Sequence, residues 1–227
     1  MTGPVLLNFE GYNPTSDGGG FNGSFGTWPQ LGYIGPYAYS GGGPDGGTNW
    51  TLKPVTGQTG GTIDGGQDWA LDLTLTQESG YGGALGFWMS CANASAYKGI
   101  SFWARGQTPM GTCSADAGSG SCFSMSISTT ATSLVADGGV GTCTGTSTTC
   151  VGPQATNLPL SMTWTQFQIP WAQFGGGMTG GVPYTPTGDG ITGLTFNLGL
   201  LWMAVEGGYA PIPATLDFQV DDISLMP

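Results

Sequence analysis

The chain has 227 residues with a formal net charge of −11, because 14 acids are set against three bases. Such a chain lacks the clustered Lys and Arg that bind nucleic acid or an anionic membrane surface. Without His it also lacks the usual general base and the commonest transition-metal ligand, and no apolar run approaches the length of a membrane span. The length fits one domain over residues 1–227, and the low charge with many aromatic and small polar residues favours a neutral partner such as a glycan.

Apolar and aromatic segments of strand length alternate with glycine-rich turns along the whole chain, which holds 44 Gly and 15 Pro. The segment 27–39 is aromatic, but Pro29 and Pro36 interrupt it, which predicts an edge strand or an ordered loop. About nine or ten strands with regularly spaced turns and no convincing helix indicate an all-β, two-sheet antiparallel sandwich. The main predicted strands are 4–10, 49–55, 69–75, 84–89, 97–105, 123–127, 164–169, 193–204 and 215–225.

Within these strands apolar residues alternate with Ser, Gln, Asn, Arg and Trp, so we expect one core face and one polar face. Flat rings stack on the C–H faces of sugars, while amide and guanidinium groups bond their hydroxyls. The residues predicted to bind a sugar on the polar face are Trp103, Arg105, Gln166, Gln168 and Asn197. The alternative is an ordinary solvated sheet face, or Trp103 packed under a loop. Four further aromatic residues could line the same cleft or only pack a loop: Tyr33, Tyr37, Tyr39 and Trp50.

The last predicted strand contains two adjacent carboxylates, Asp221 and Asp222, and we expect this strand to lie beside the first one. With only three Lys and Arg in the chain, salt bridges supply few partners. Adjacent carboxylates also repel, which raises the pKa of one of them. Ca²⁺ is held by carboxylate and carbonyl oxygens, so the seam between the two strands is predicted to hold a metal. The alternative is that these acids cap backbone N–H groups in a turn.

Five cysteines form two close pairs, Cys113/Cys122 and Cys143/Cys150, and leave Cys91 over. The short loops between the paired cysteines are rich in Ser, Thr and Gly, which predicts disulfide-closed hairpins in an oxidising compartment. Cys91 is either a free buried thiol or a partner for one cysteine of the first pair. The chain shows no signal peptide before its first strand, so we read its start as a cut end and expect attachment to a larger extracellular protein.

Four segments in order along the chain carry a resemblance to a known group of domains: residues 8–10 (NFE), 96–104 (AYKGISFWA), 164–170 (WTQFQIP) and 218–223 (FQVDDI). They resemble the galactose-binding-like β-jelly-roll modules. Within that group the chain is most similar to family 11 carbohydrate-binding modules and to the domains named after the complex I intermediate-associated protein 30. The resemblance covers most of the chain, and similar domains occur in extracellular proteins of Gram-negative soil bacteria.

This resemblance implies a two-sheet jelly roll whose concave face can cradle a glucan chain, together with a structural Ca²⁺ at the sheet edge. Carried over by position, the metal ligands would be Glu10 and Asp221 or Asp222. Backbone oxygens and either Asp45 or Asp68 would complete the shell. The glycine loop over 18–26 and the cysteine-closed hairpins have no clear counterpart in such modules.

Catalysis is the main competing class, since glycosidases use two carboxylates that flank the scissile bond. The three glutamates, Glu10, Glu78 and Glu206, do not lie mid-strand beside aromatic residues, and triads that need His are excluded. We therefore predict a non-catalytic carbohydrate-binding domain of a secreted or cell-surface bacterial protein, with a β-glucan as the first candidate ligand. The alternatives are a structural or adhesion spacer without a glycan site, and a glycoside hydrolase or polysaccharide lyase.

Overall fold

The computed structural model describes residues 5–7, 34–37, 50–57, 69–78, 83–107, 123–135, 140–198, 202–205, 208–211 and 214–227. These residues contain fifteen β-strands and a short 3-10 helix, Trp171–Gln173. The strands are β1 (Val5–Leu7), β2 (Ile34–Tyr37), β3 (Trp50–Thr56), β4 (Trp69–Glu78), β5 (Gly83–Ala92), β6 (Gly99–Gln107), β7 (Phe123–Thr129), β8 (Gln154–Ala155), β9 (Thr165–Pro170), β10 (Gly177–Thr179), β11 (Val182–Tyr184), β12 (Ile191–Leu198), β13 (Trp202–Val205), β14 (Gly208–Pro211) and β15 (Ala214–Met226).

Two antiparallel sheets form the body of the molecule. Sheet A runs in the order β3-β4-β15-β6-β9, with β1 paired to the far half of β15. Sheet B runs in the order β2-β5-β12-β7-β8, and the hairpins β10–β11 and β13–β14 form two small sheets of their own. The predicted all-β sandwich is therefore confirmed. Among the described residues we find no helix with the length and apolar character needed to cross a membrane.

A cluster of phenylalanines joins the two sheets. Phe102 of sheet A stacks on Phe167, with ring centres 5.1 Å apart, and meets Phe196 of sheet B edge-on at 5.0 Å. Phe218 of sheet A in turn lies 5.0 Å from Phe123 of sheet B. Such ring pairs add to the free energy gained from burying apolar area. The inward face of each sheet is thus fixed by the aromatic residues that the strand alternation predicted.

The outward faces follow from the same alternation. In β6 the side chains of Ile100, Phe102 and Ala104 are fully buried, whereas those of Trp103 and Arg105 are half-buried. This confirms the predicted separation of core and polar residues in that strand. Successive side chains of a strand point to opposite faces, so Trp103 and Arg105 lie on the outer face of sheet A.

The last strand carries a β-bulge at its two adjacent acids. Asp221 pairs with Trp103 and Ser224 pairs with Ser101, so β15 has one residue more than β6 between these two pairs. Asp222 takes up the extra length in the left-handed region, with φ of 47°, a conformation that Asp tolerates better than most residues. Beyond the bulge, Ile223 pairs with Leu7 of β1. The predicted contact between the first and last strands is confirmed.

The sequence pattern missed several breaks and short elements. The predicted strand 193–204 is two strands, β12 in sheet B and β13 in a separate hairpin, because continuous apolar alternation does not show where the pairing partner changes. No strand was predicted between 123–127 and 164–169, yet this stretch contains β8. After β9 the chain forms the β10–β11 hairpin, whose turn residues Gly180 and Gly181 have φ of 57° and 84°, as a tight hairpin turn requires.

Candidate functional site

The two sheets differ in their charge. The described strands of sheet B contain no Asp, Glu, Lys or Arg, and the charged residues of the described strands all lie in sheet A. These are Lys53, Asp72, Glu78, Arg105, Asp217, Asp221 and Asp222. Taking a charge out of water costs free energy unless the charge is paired. A neutral ligand can therefore cover the outer face of sheet B at a lower cost in free energy than the outer face of sheet A.

The strand register aligns the outward positions of sheet B in rows that cross the strands. The central row runs through Gly35, Gly86, Thr195, Ser126 and Gln154, one residue from each strand. Thr195 and Ser126 are half-buried, and Gln154 is exposed. Gly86 is buried, while the other three residues offer hydroxyl and amide groups.

Two rows flank the central row, and each contains an aromatic residue. One runs through Tyr37, Ala84, Asn197 and Ser124, and the other through Trp88, Gly193 and Ser128. The Nδ2 of Asn197 donates a hydrogen bond of 3.2 Å to the Oγ of Ser126 in the central row. This contact fixes the orientation of the amide. We call these three rows the sheet B face.

A second polar group lies on the outer face of sheet A, where β6 meets the edge strand β9. Trp103 pairs with Gln166, and Ser101 pairs with Gln168. Arg105 lies under the ring of Trp164, with 4.9 Å between its Cζ and the ring centre. We call this group the β9-edge cluster: Trp103, Arg105, Trp164, Gln166 and Gln168.

Hydrogen bonds hold two members of the β9-edge cluster in place. The Nε of Arg105 donates to the Oε1 of Gln219 at 2.7 Å, and the Nε2 of Gln166 donates to the Oγ of Ser101 at 3.2 Å. Elsewhere on this outer face Asp72 and Asp221 are only 2 % and 0 % exposed, whereas Gln219 is half-buried. At the β9 edge, by contrast, Gln166 and Gln168 are exposed.

The residues predicted to share one sugar-binding face are divided between the two sheets. Trp103, Arg105, Gln166 and Gln168 come together on sheet A, whereas Asn197 lies on sheet B. The expectation of a single face was wrong on this point, because alternation shows which residues leave the core but not which sheet a strand joins. Trp50 begins β3, where its backbone pairs with Leu75. Tyr37 is placed by its backbone in the row of Asn197, and two further predicted residues lie outside the described part of the chain: Tyr33 and Tyr39.

Several residues of the two faces were not predicted. Trp164 is two positions before Gln166 on the same face of the chain, and this spacing was the available signal. The sequence signal for Ser126 and Thr195 was weaker. For Ser126 it was the alternation of Ser with buried Phe123, Met125 and Ile127 along β7. Gln154 had no such signal, because β8 is only two residues long.

The adjacent acids of β15 have defined contacts. The carboxylate of Asp221 is fully buried, and its Oδ1 accepts a hydrogen bond of 2.8 Å from the backbone N–H of Asp222. Within the described ranges no group of three His, Cys, Asp or Glu residues is arranged to hold a metal ion. The other predicted ligands, Glu10, Asp45 and Asp68, lie outside those ranges.

One of the two predicted disulfides can be checked. Cys143 and Cys150 are bonded, as predicted, whereas Cys113 and Cys122 lie outside the described residues. Cys91 is a free thiol, but it is exposed, so the expectation of a buried thiol was wrong. It sits near the end of β5 with φ of 59°, beyond the predicted strand 84–89 and where the register between β5 and β12 shifts.

Comparison with known proteins finds similarity in fold only. No protein-family model matches the chain, and neither does any curated protein. A family 11 carbohydrate-binding module from Clostridium thermocellum, solved in complex with a β-1,3-1,4-mixed-linked tetrasaccharide, is 16 % identical. The alignment covers 100 % of this chain and 96 % of that one, with a TM-score of 0.43. That module belongs to the family that the four sequence segments resemble.

Two further solved structures are similar over most of this chain. The solution structure of CtCBM11 is 17 % identical, with 100 % of this chain and 95 % of that one covered and a TM-score of 0.47. SGBP-B, from a complex xyloglucan utilization locus in Bacteroides uniformis, is 12 % identical. That alignment covers 98 % of this chain and 49 % of the other, with a TM-score of 0.39.

Proposed function

We propose that this chain is a non-catalytic carbohydrate-binding domain and that it holds a neutral polysaccharide on the sheet B face. The observation that carries the proposal is the absence of Asp, Glu, Lys and Arg from the described strands of sheet B, combined with outward rows of hydroxyl and amide groups. A β-glucan is the first candidate. The domain would belong to a secreted or cell-surface bacterial protein, in keeping with its disulfide.

The chemistry of the sheet B face suits a sugar chain lying across the strands. Ser126, Thr195, Asn197 and Gln154 supply groups that both donate and accept hydrogen bonds, as sugar hydroxyls require. The strands hold these groups in fixed positions, so little conformational entropy is lost on binding. Aromatic residues stand in the two flanking rows, and aromatic rings are the side chains that stack on sugars.

The competing functions predict other features. Glycosidases need two carboxyl groups beside the scissile bond, and the described strands of sheet B contain none. Of the three glutamates, Glu78 ends β4 in sheet A, and Glu10 and Glu206 lie outside the described residues. A spacer domain would have no reason to keep the described strands of one sheet uncharged in a chain of net charge −11.

We further propose a structural Ca²⁺ at the bulge of β15. The donors present fit this ion, because Asp221 is a buried carboxylate and hard oxygen ligands are those that Ca²⁺ prefers. Asp222 follows at the same bulge, and β1 ends beside it, three residues before Glu10. Asp221, Asp222 and Glu10 would hold the ion, which supplies positive charge between acids and ties the first strand to the last.

The binding proposal is tested by filling the sheet B face. Ser126→Phe places a bulky ring in the central row, and we expect it to weaken binding, measured by retardation in gels containing β-glucan, by at least about fivefold, since one lost polar contact alone is worth about 1 kcal/mol. Ser147→Phe is the matched control, because Ser147 is exposed in the Cys143–Cys150 loop. If no neutral polysaccharide retards the wild-type protein, the proposed function is wrong.

A further inference from the structure

We propose that the β9-edge cluster is a second glycan-binding surface, so that one domain holds two sugar chains on opposite sides of the sandwich. The ligand class rests on the proposed function, whereas the site itself is a separate set of residues on the other sheet. The cluster combines two indole rings, one guanidinium and two amides within three neighbouring rows of β6 and β9. Stacking surfaces next to forked hydrogen-bond donors are what a sugar ring requires.

Two contacts restrain the side chain of Arg105 in the absence of a ligand. Its guanidinium lies 4.9 Å from the centre of the Trp164 ring, and its Nε is hydrogen-bonded to Gln219 at 2.7 Å. An arginine in a purely solvated position keeps its rotamer freedom and would lose it on binding. Because two contacts already restrain this side chain, its Nη groups can meet a ligand at a smaller entropic cost.

The amides are arranged on the open side of Arg105. Gln166 is exposed and is oriented by its hydrogen bond to Ser101, and Gln168 lies exposed one row further along β9. Rows on one face of a strand are about 7 Å apart, twice the rise per residue. The cluster therefore spans roughly 14 Å, enough for a short stretch of a sugar chain rather than a long one.

The charges around the cluster favour a neutral sugar over an acidic one. Asp221 pairs with Trp103, and Asp217 lies in the row next to Arg105 on β15. The chain as a whole carries −11, which repels an anionic ligand over a Debye length of about 10 Å at 0.1 M salt. Arg105 then acts as a fork of hydrogen-bond donors to hydroxyls and not as an anion site.

The experiment measures how many sites one domain has. Isothermal titration with a β-glucan tetrasaccharide should give two sites per wild-type chain and one site for Trp103→Ala. Gln168→Ala, at an exposed position where folding is not at risk, should weaken the same site about two- to tenfold. Ser126→Phe should leave one site per chain, and adding Trp103→Ala to this variant should remove that site. Thermal melting of each variant checks that it is folded.

The outcomes separate the two proposals. One site per wild-type chain that Ser126→Phe abolishes and Trp103→Ala leaves unchanged would keep the proposed function and overturn the second surface. A lack of any binding by the wild type would overturn the proposed function itself. Tighter binding of a glucuronic-acid oligosaccharide than of the glucan, lost in Arg105→Gln and weakened by salt, would overturn the neutral ligand of this surface. Two sites of which only one survives in each single-face variant support the proposal.

Discussion

Replacing Gly106 by alanine tests the strand pairing that builds the β9-edge cluster. Gly106 pairs with Phe218 of β15, and this register is what sets Arg105 beside Gln219. Its φ is 155°, and a Cβ there would overlap the carbonyl oxygen of Asp217. The other two nearest atoms are also backbone, the carbonyl carbon of Asp217 and the Cα of Phe218, each 3.0 Å away. The strands must therefore separate to admit the methyl group.

Two free-energy costs at this position set the expected loss of stability. Overpacking against a fixed neighbour costs about 1–3 kcal/mol, and a side chain held in a backbone region that favours glycine costs about 1–3 kcal/mol more. Together these give about 4 kcal/mol. For a domain of this size each kcal/mol shifts Tm by about 2–4 °C, so Gly106→Ala should melt about 8–16 °C below the wild type.

The assay is a thermal or urea melt with a matched glycine as control. Gly175 has nothing within 4 Å of an added Cβ, so Gly175→Ala should be neutral or slightly stabilising, by up to about 1 kcal/mol, through the unfolded state. A Gly106→Ala protein that melts within about 2 °C of the wild type would refute the reasoning and with it the observed register of β6 and β15. Equal losses in the two variants would do the same.

Two further predictions concern stability. Replacing both Cys143 and Cys150 with serine should cost about 2.5 kcal/mol in the chain-entropy account, because the bond closes a short loop with a sequence separation of 7. A double variant that melts with the wild type under oxidising conditions would contradict it. Ca²⁺ at a hundred times its Kd should add about 2.7 kcal/mol to the free energy of unfolding, and Asp221→Asn should remove this response. A wild-type melting temperature that neither Ca²⁺ nor EGTA changes would count against the ion.

Local patterns predicted much of the fold because apolar and polar residues alternate along a half-buried strand. Phe102 and Ala104 alternate with Trp103 and Arg105, and this pattern correctly assigned core and outer face before any pairing was known. The bulge at Asp222 was not predicted, although it coincides with a break in the alternation of β15. The exposure of Cys91 was not predicted, because its backbone adopts a left-handed conformation at a register shift that the sequence does not reveal.

The sequence alone determined the strand-rich class, the inward residues of most strands and the meeting of first and last strands. Only the tertiary structure decided that Asn197 lies on one sheet and Arg105 on the other, and that Trp164 joins Arg105. The physical reason is that alternation is a property of one strand, while the identity of a sheet depends on hydrogen bonds between segments far apart in the chain. The register between those segments turned one predicted face into two.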